Sequence, residues 1–208
     1  MRMFVIVAGL VVATPAVSQD MLSELPAQRF TLDPSHASLS FSVNHLGLSN
    51  YTASFDTLEG TLDLDPAAPE DAQLDVTVNV ASLDLSTPPL GFREELLGPN
   101  FFDADQFPLI TFTSTAIALT SLTTADVTGD LTLHGVTQPV TLQMTYNGNS
   151  TAGTFEPWAR IGFSATGEIS RTAFGMGYGV PPEGSTIGVF DAVTVRIETE
   201  WTGEDTTK

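Results

Sequence analysis

The chain has 208 residues, with 25 Asp or Glu against 7 Lys or Arg, a formal charge of −18, no cysteine and a hydrophobic fraction of 42%. That acidity excludes nucleic acid and disfavours anionic membrane surfaces, both of which need cations as counterions, while the apolar content is too high for a disordered polymer and the length suits one domain. Zero cysteines exclude disulfides, thiol catalysis, iron–sulfur clusters and thiolate zinc sites.

Residues 1–18 read as a secretory signal peptide. Arg2 precedes an apolar run from Phe4 to Ala13, and Ala16 and Ser18 supply the small residues needed for cleavage before Gln19. The run is too short to span a bilayer, so the expected destination is the periplasm or the exterior. Residues 19–28 are a polar lead-in. From Arg29 the chain alternates with period two: Leu39, Phe41 and Val43 oppose Ser40, Ser42 and Asn44, and Leu74, Val76 and Val78 oppose Asp75, Thr77 and Asn79. The pattern recurs at Leu58, Leu62 and Leu64, at Ile110 and Phe112, and at Val127, Leu131 and Leu133. It continues through Val140, Leu142 and Met144, Ile161 and Phe163, and Val193, Val195 and Ile197. Alternation of this kind marks half-buried strands of an antiparallel sheet.

Two segments break the pattern. Residues 90–97 carry a helical period stopped by Gly98-Pro99, which predicts one short helix. Residues 171–182, rich in glycine, predict a long loop with at most one helical turn. Residues 202–208 form a polar flexible tail, leaving residues 29–201 as a single all-β domain. About eight strands with one apolar face each predict closure into a barrel, which hides that face and removes the sheet edges. A two-sheet sandwich buries the same residues, and an eight-stranded barrel is either packed with side chains or holds one small ligand.

No enzyme signature emerges. Gly-x-Ser-x-Gly is absent, no histidines stand at zinc-motif spacing, and the glycines at 175, 177 and 179 lack a strand–helix context. The expectation is no catalytic residue, no metal and no cofactor. His45 continues the inward series of its strand, as a handle for a ligand head group or a histidine bonded to backbone. His36 falls in a turn before that strand, in a capping or network role, and His134 falls on the outward set as a solvent-facing turn residue. Arg93 and Arg171 sit in the two irregular segments, to pair with an anionic or carbonyl head group or to make a structural ion pair.

Ordered motifs also carry a resemblance. Phe30-Thr31-Leu32-Asp33-Pro34-Ser35-His36, Phe41-Ser42-Val43-Asn44-His45, Phe101-Phe102 with Pro108 and Phe112, Leu133-His134-Gly135-Val136-Thr137, and Arg171-Thr172-Ala173-Phe174-Gly175 resemble the YceI-like family over nearly all of residues 29–201. In that family's pattern, Glu95 stands where a histidine is usual, and Ala53-Ser54-Phe55 lacks a customary glycine. The resemblance implies an extended, eight-stranded, lipocalin-like antiparallel β-barrel that is not an enzyme. It further implies export to the periplasm and an interior binding a long polyisoprenoid, isoprenoid quinone or similar amphiphilic lipid. Partners implied are the lipid itself and, as for some relatives, a b561-type membrane cytochrome, with a homodimer compatible. The alternative function is an enzyme or accessory protein acting on a lipid or quinone. On this reading Phe41, Leu58, Val76, Phe112, Leu131, Leu142 and Phe163 contact the apolar tail, and His45, Arg93 and Arg171 face the head group.

Overall fold

The computed structural model describes residues 25–151 and 156–203. The expected signal peptide and residues 204–208 of the expected tail lie outside the described residues. Ten strands form one antiparallel sheet: β1 (Gln28–His45), β2 (Ser49–Phe55), β3 (Leu58–Leu64), β4 (Gln73–Asn79), β5 (Leu83–Asp84), β6 (Leu109–Leu119), β7 (Thr124–Leu133), β8 (Val136–Ser150), β9 (Arg160–Ser170) and β10 (Val189–Gly203). Eight of them close a ring in the order β1-β3-β4-β6-β7-β8-β9-β10, with β10 returning to β1. The protein is thus a closed eight-stranded antiparallel barrel with one short helix, α1 (Phe92–Leu97). A flat sheet of half-apolar strands would have left its inner face in water; closure removes it and pairs both edges.

β1 serves two neighbours in succession. Gln28 to Thr31 pair with β3, and Leu39 to His45 pair with β2. Between them the register on β10 jumps from Leu32↔Trp201 to Ala37↔Thr199, so residues 33–36 bulge out of the ladder. Pro34 has no N–H to donate there, and Asp33 bonds both the N–H and the hydroxyl of Ser35, giving the bulge its own local partners. The turn expected before the strand is therefore a bulge inside it. The β2–β5 pair splays from the ring beyond this point, and α1 seals its flank. Tyr51 of β2 meets Phe92 edge-on at 5.8 Å, and Phe102 sits edge-on to Phe55 at 5.4 Å and to Phe41 at 6.1 Å.

Apolar side chains pack the end where both described termini lie. Leu25, Phe30, Leu64, Ile161 and Trp201 are buried together there. Two boundaries shift from the expectation: Leu25, inside the expected polar lead-in, is 4% exposed, and β10 runs through Thr202 and Gly203, into the expected tail. Leu25 packs because the inner face near Phe30 needs a cover, and the last strand pairs as far as Phe30↔Gly203. At the opposite end a second small cluster joins Leu133, Phe174 and Met176. The predicted long loop opens with a 3-10 turn, Arg171–Phe174, capped by Ser170.

The β7–β8 connection is a two-residue hairpin, with Leu133 paired to Val136 and both His134 (φ 52°) and Gly135 (φ 73°) left-handed. That geometry matches the twist of the flanking strands and favours glycine at its second position. His134 is not the solvent-facing residue that alternation predicts. The turn swings its ring back against the barrel, where Nδ1 bonds the Phe174 carbonyl at 3.1 Å and the ring lies 4.9 Å from Phe107.

Candidate functional site: an apolar cavity along the barrel axis

Inward side chains do not fill the barrel. They surround a cavity of about 590 Å³, within the range of ~300–1,000 Å³ common for ligand pockets. Its wall runs from Leu119, Leu122 and Thr124 near one end to His45, Phe101 and Val189 near the other. All seven residues predicted to meet an apolar tail lie on this wall: Phe41, Leu58, Val76, Phe112, Leu131, Leu142 and Phe163. Several of them, including Phe41, Val76, Leu131, Leu142 and Phe163, are only half-buried although they face inward, because they line space instead of touching one another. The choice left open by periodicity, packed core or ligand cavity, falls to the cavity.

The head-group candidates separate. His45 ends β1, is exposed, and borders the cavity. Arg93 does not border it. Its guanidinium turns along α1 and donates to the carbonyls of Leu83 (2.8 Å) and Ala81 (2.5 Å), stitching the helix to β5. That is a correction to its expected role, and its cause is local: β5 is an edge of two residues whose carbonyls need donors.

Arg171 touches the cavity but is 5% exposed, and four of its five N–H donors are bonded to backbone carbonyls. Nε donates to Phe190 O (3.0 Å), Nη1 to Met176 O (2.7 Å) and Tyr178 O (2.9 Å), and Nη2 to Val189 O (2.8 Å). Burial pushes this guanidinium below its ordinary pKa, opposed by the charge of Asp191. Arg171 is therefore the brace of the 175–188 loop, at the border of the cavity. Among the described residues backbone carbonyls, and no carboxylate, accept from its fork.

Residues beyond the predicted set complete the wall. Tyr51, Phe92 and Phe102 close the side opened by the splayed β2–β5 pair, and Val43, Met144 and Ile197 extend the inward rows. Alternation signals the last three and Tyr51, which runs with Ala53 and Phe55 against Thr52 and Ser54; the doubled Phe101-Phe102 in an irregular segment is a hint of Phe102. Polar lining is sparse: besides His45 and Arg171, Thr111, Thr123, Thr124, Thr199 and the hydroxyls of Tyr51 and Tyr146 interrupt an aliphatic and aromatic surface. Among the described residues no group of His, Asp and Glu could hold a metal ion.

A closed antiparallel barrel around one elongated apolar cavity defines a lipocalin-like protein. The chain belongs to the YceI-like family: the YceI-like domain model matches residues 30–201. It is 37% identical over 143 residues to a UPF0312 protein of Pseudomonas savastanoi pv. phaseolicola, covering 68% of this chain and 71% of that one. A UPF0312 protein of Pseudomonas fluorescens is 36% identical over 162 residues, covering 74% and 79%. Among solved structures, Burkholderia cenocepacia BcnA superposes with a TM-score of 0.69 at 25% identity, covering 81% of this chain and 98% of that one. The Campylobacter jejuni YCEI protein gives 0.65 at 30% identity, covering 77% and 90%. A polyisoprenoid binding domain from Saccharophagus degradans shares the fold at 0.62 and 15% identity, covering 84% and 98%.

Proposed function

We propose that this protein is an exported carrier that holds one long polyisoprenoid or similar amphiphilic lipid inside the barrel, for transport, storage or sequestration, without transforming it. The observation that carries this reading is the continuous apolar cavity of about 590 Å³. A chain buried there gains ~25 cal/mol for each Å² of apolar surface removed from water, with no requirement for directional contacts along the tail. The shared fold with a protein described as a polyisoprenoid binding domain supports the same ligand class.

The mouth narrows the head group. His45 and Arg171 are the basic side chains on the wall, and Arg171 is committed to carbonyls. A phosphate brought to this mouth would meet a guanidinium with four of its five donors already given to carbonyls, which favours an uncharged head group, as in a quinone or an alcohol, with His45 offering one hydrogen bond. Native mass spectrometry of protein purified from the periplasm of its own host tests the reading. One neutral lipid per chain, released by organic extraction, is the expected result; an empty cavity, or a phosphorylated lipid, overturns it.

A further inference from the structure

Three large aliphatic side chains stand out in water at one end of the barrel: Leu48 is 82% exposed, Leu90 106% and Ile187 80%. They belong to separate loops, and each lies within three positions of a residue on the cavity wall: His45, Pro89 and Val189. The loops are physically joined. Leu46 N–H donates to Gly188 O at 2.9 Å, the side chain of Thr186 lies over Gly47, and Tyr51 meets Phe92 at 5.8 Å. The three therefore ring one mouth of the cavity.

We propose that this rim docks the barrel, mouth down, on an uncharged lipid bilayer, from which the cavity takes or to which it returns its lipid. The proposal rests on the carrier reading above. Charge selects the kind of surface. Residues 46–48, 85–108 and 175–188 contain a single basic residue, Arg93, whose guanidinium is bonded to Leu83 and Ala81, while Glu94, Glu95 and Glu183 are exposed on the same loops. Such a rim gains nothing from anionic head groups and is repelled by them. Shape selects a bilayer over a second copy of the chain. A stable protein interface needs a complementary face burying at least ~1,200 Å², whereas isolated protruding side chains suit a fluid apolar layer that closes around each.

The test is flotation with phosphatidylcholine vesicles, alongside vesicles of pure phosphatidylglycerol. The wild type should float with the first and much less with the second. The triple variant Leu48→Asp, Leu90→Asp, Ile187→Asp should lose at least about tenfold in partitioning while still retaining a fluorescent prenol in the cavity. Trp158→Ser, at the opposite end and 39% exposed, should float like the wild type. Wild-type protein that stays in solution overturns the proposal, as does a triple variant that floats equally, equal loss in Trp158→Ser, or a dimer in solution that covers the three side chains. Flotation without prenol retention would leave the docking surface standing and remove the carrier reading, so the two fail separately.

Discussion

Arg160 and Asp33 meet at 2.7 Å across 127 residues of chain, joining the bulge of β1 to the start of β9. The guanidinium also bonds Glu156 at 2.6 Å and Glu200 at 3.0 Å, and Asp33 accepts from the Ser35 hydroxyl, the Ser35 N–H and, at 2.9 Å, pairs with His36. The bulge that lets β1 change neighbours is thus fastened across β10 to the next strand but one of the ring.

Acid should loosen this fastening. The Ser35 hydroxyl first, then Arg160 and His36, hold the Asp33 carboxyl well below the usual carboxylate range. A carboxyl depressed in the folded state contributes stability that is fully present above its unfolded value, ~4, and drains away as pH falls below it. Asp33→Asn should therefore cost about 1–2 kcal/mol at neutral pH, and the gap from the wild type should close in urea unfolding as the pH is lowered below ~4. A gap that is unchanged at pH ~3 would remove Asp33 from the acid response.

Filling the cavity should expel ligand at little cost to the fold. Val76 is half-buried against open space, so Val76→Trp has volume to occupy, unlike a large residue forced into a packed core at ~1–3 kcal/mol. Native mass spectrometry should show lipid occupancy falling by about tenfold or more, with thermal unfolding close to the wild type. A variant that unfolds early would show Val76 to be packed, and one that retains lipid fully would place the ligand elsewhere.

Arg171 carries an opposite expectation: large effect on the fold, none on charge selectivity. Removing its guanidinium leaves the carbonyls of Met176, Tyr178, Val189 and Phe190 without these donors, and Lys cannot reproduce the planar fork. Arg171→Ala and Arg171→Lys should each cost about 2–4 kcal/mol in chemical unfolding. Amide exchange should accelerate through residues 175–188 ahead of the β1–β10 ladder. Protection of that loop equal to the wild type's would contradict the bracing role.

Much of this was legible in the residues. Period-two alternation placed Phe41, Val76, Leu131 and Leu142 on one inner face because every strand of a closed barrel has a wet side and a dry side. Alternation is silent on whether dry faces touch or enclose space, since that depends on barrel diameter and tilt, which no single strand encodes. The arginines illustrate the second limit. Scarcity drew attention to Arg93 and Arg171, but backbone carbonyls bear no sequence label, so their partners emerged only with the loops in place. His134 illustrates a third: strict alternation fails where a hairpin turn takes left-handed dihedrals. Leu25 and Phe102 pack inward from segments with no period to read.

A last expectation concerns a place where the inner wall has no side chain by necessity. Gly129 lies on the dry face of β7 between Val127 and Leu131, and a Cβ there would sit 2.4 Å from the Phe112 ring and 2.6 Å from the Thr113 carbonyl oxygen. Phe112 can lie flat across β7 only because that position is empty. Gly129→Ala should cost about 2–3 kcal/mol, since both the ring and a strand backbone must shift. Phe112→Leu in the same chain should return part of that loss by freeing the ring's space, and the Thr113 carbonyl should keep the remainder. A double-mutant cycle in urea reads the coupling directly. Strict additivity would mean that the ring does not rest on Gly129, and complete recovery would mean that the backbone contact is not binding; a favourable coupling of about 1 kcal/mol with a residual deficit is the outcome this geometry requires.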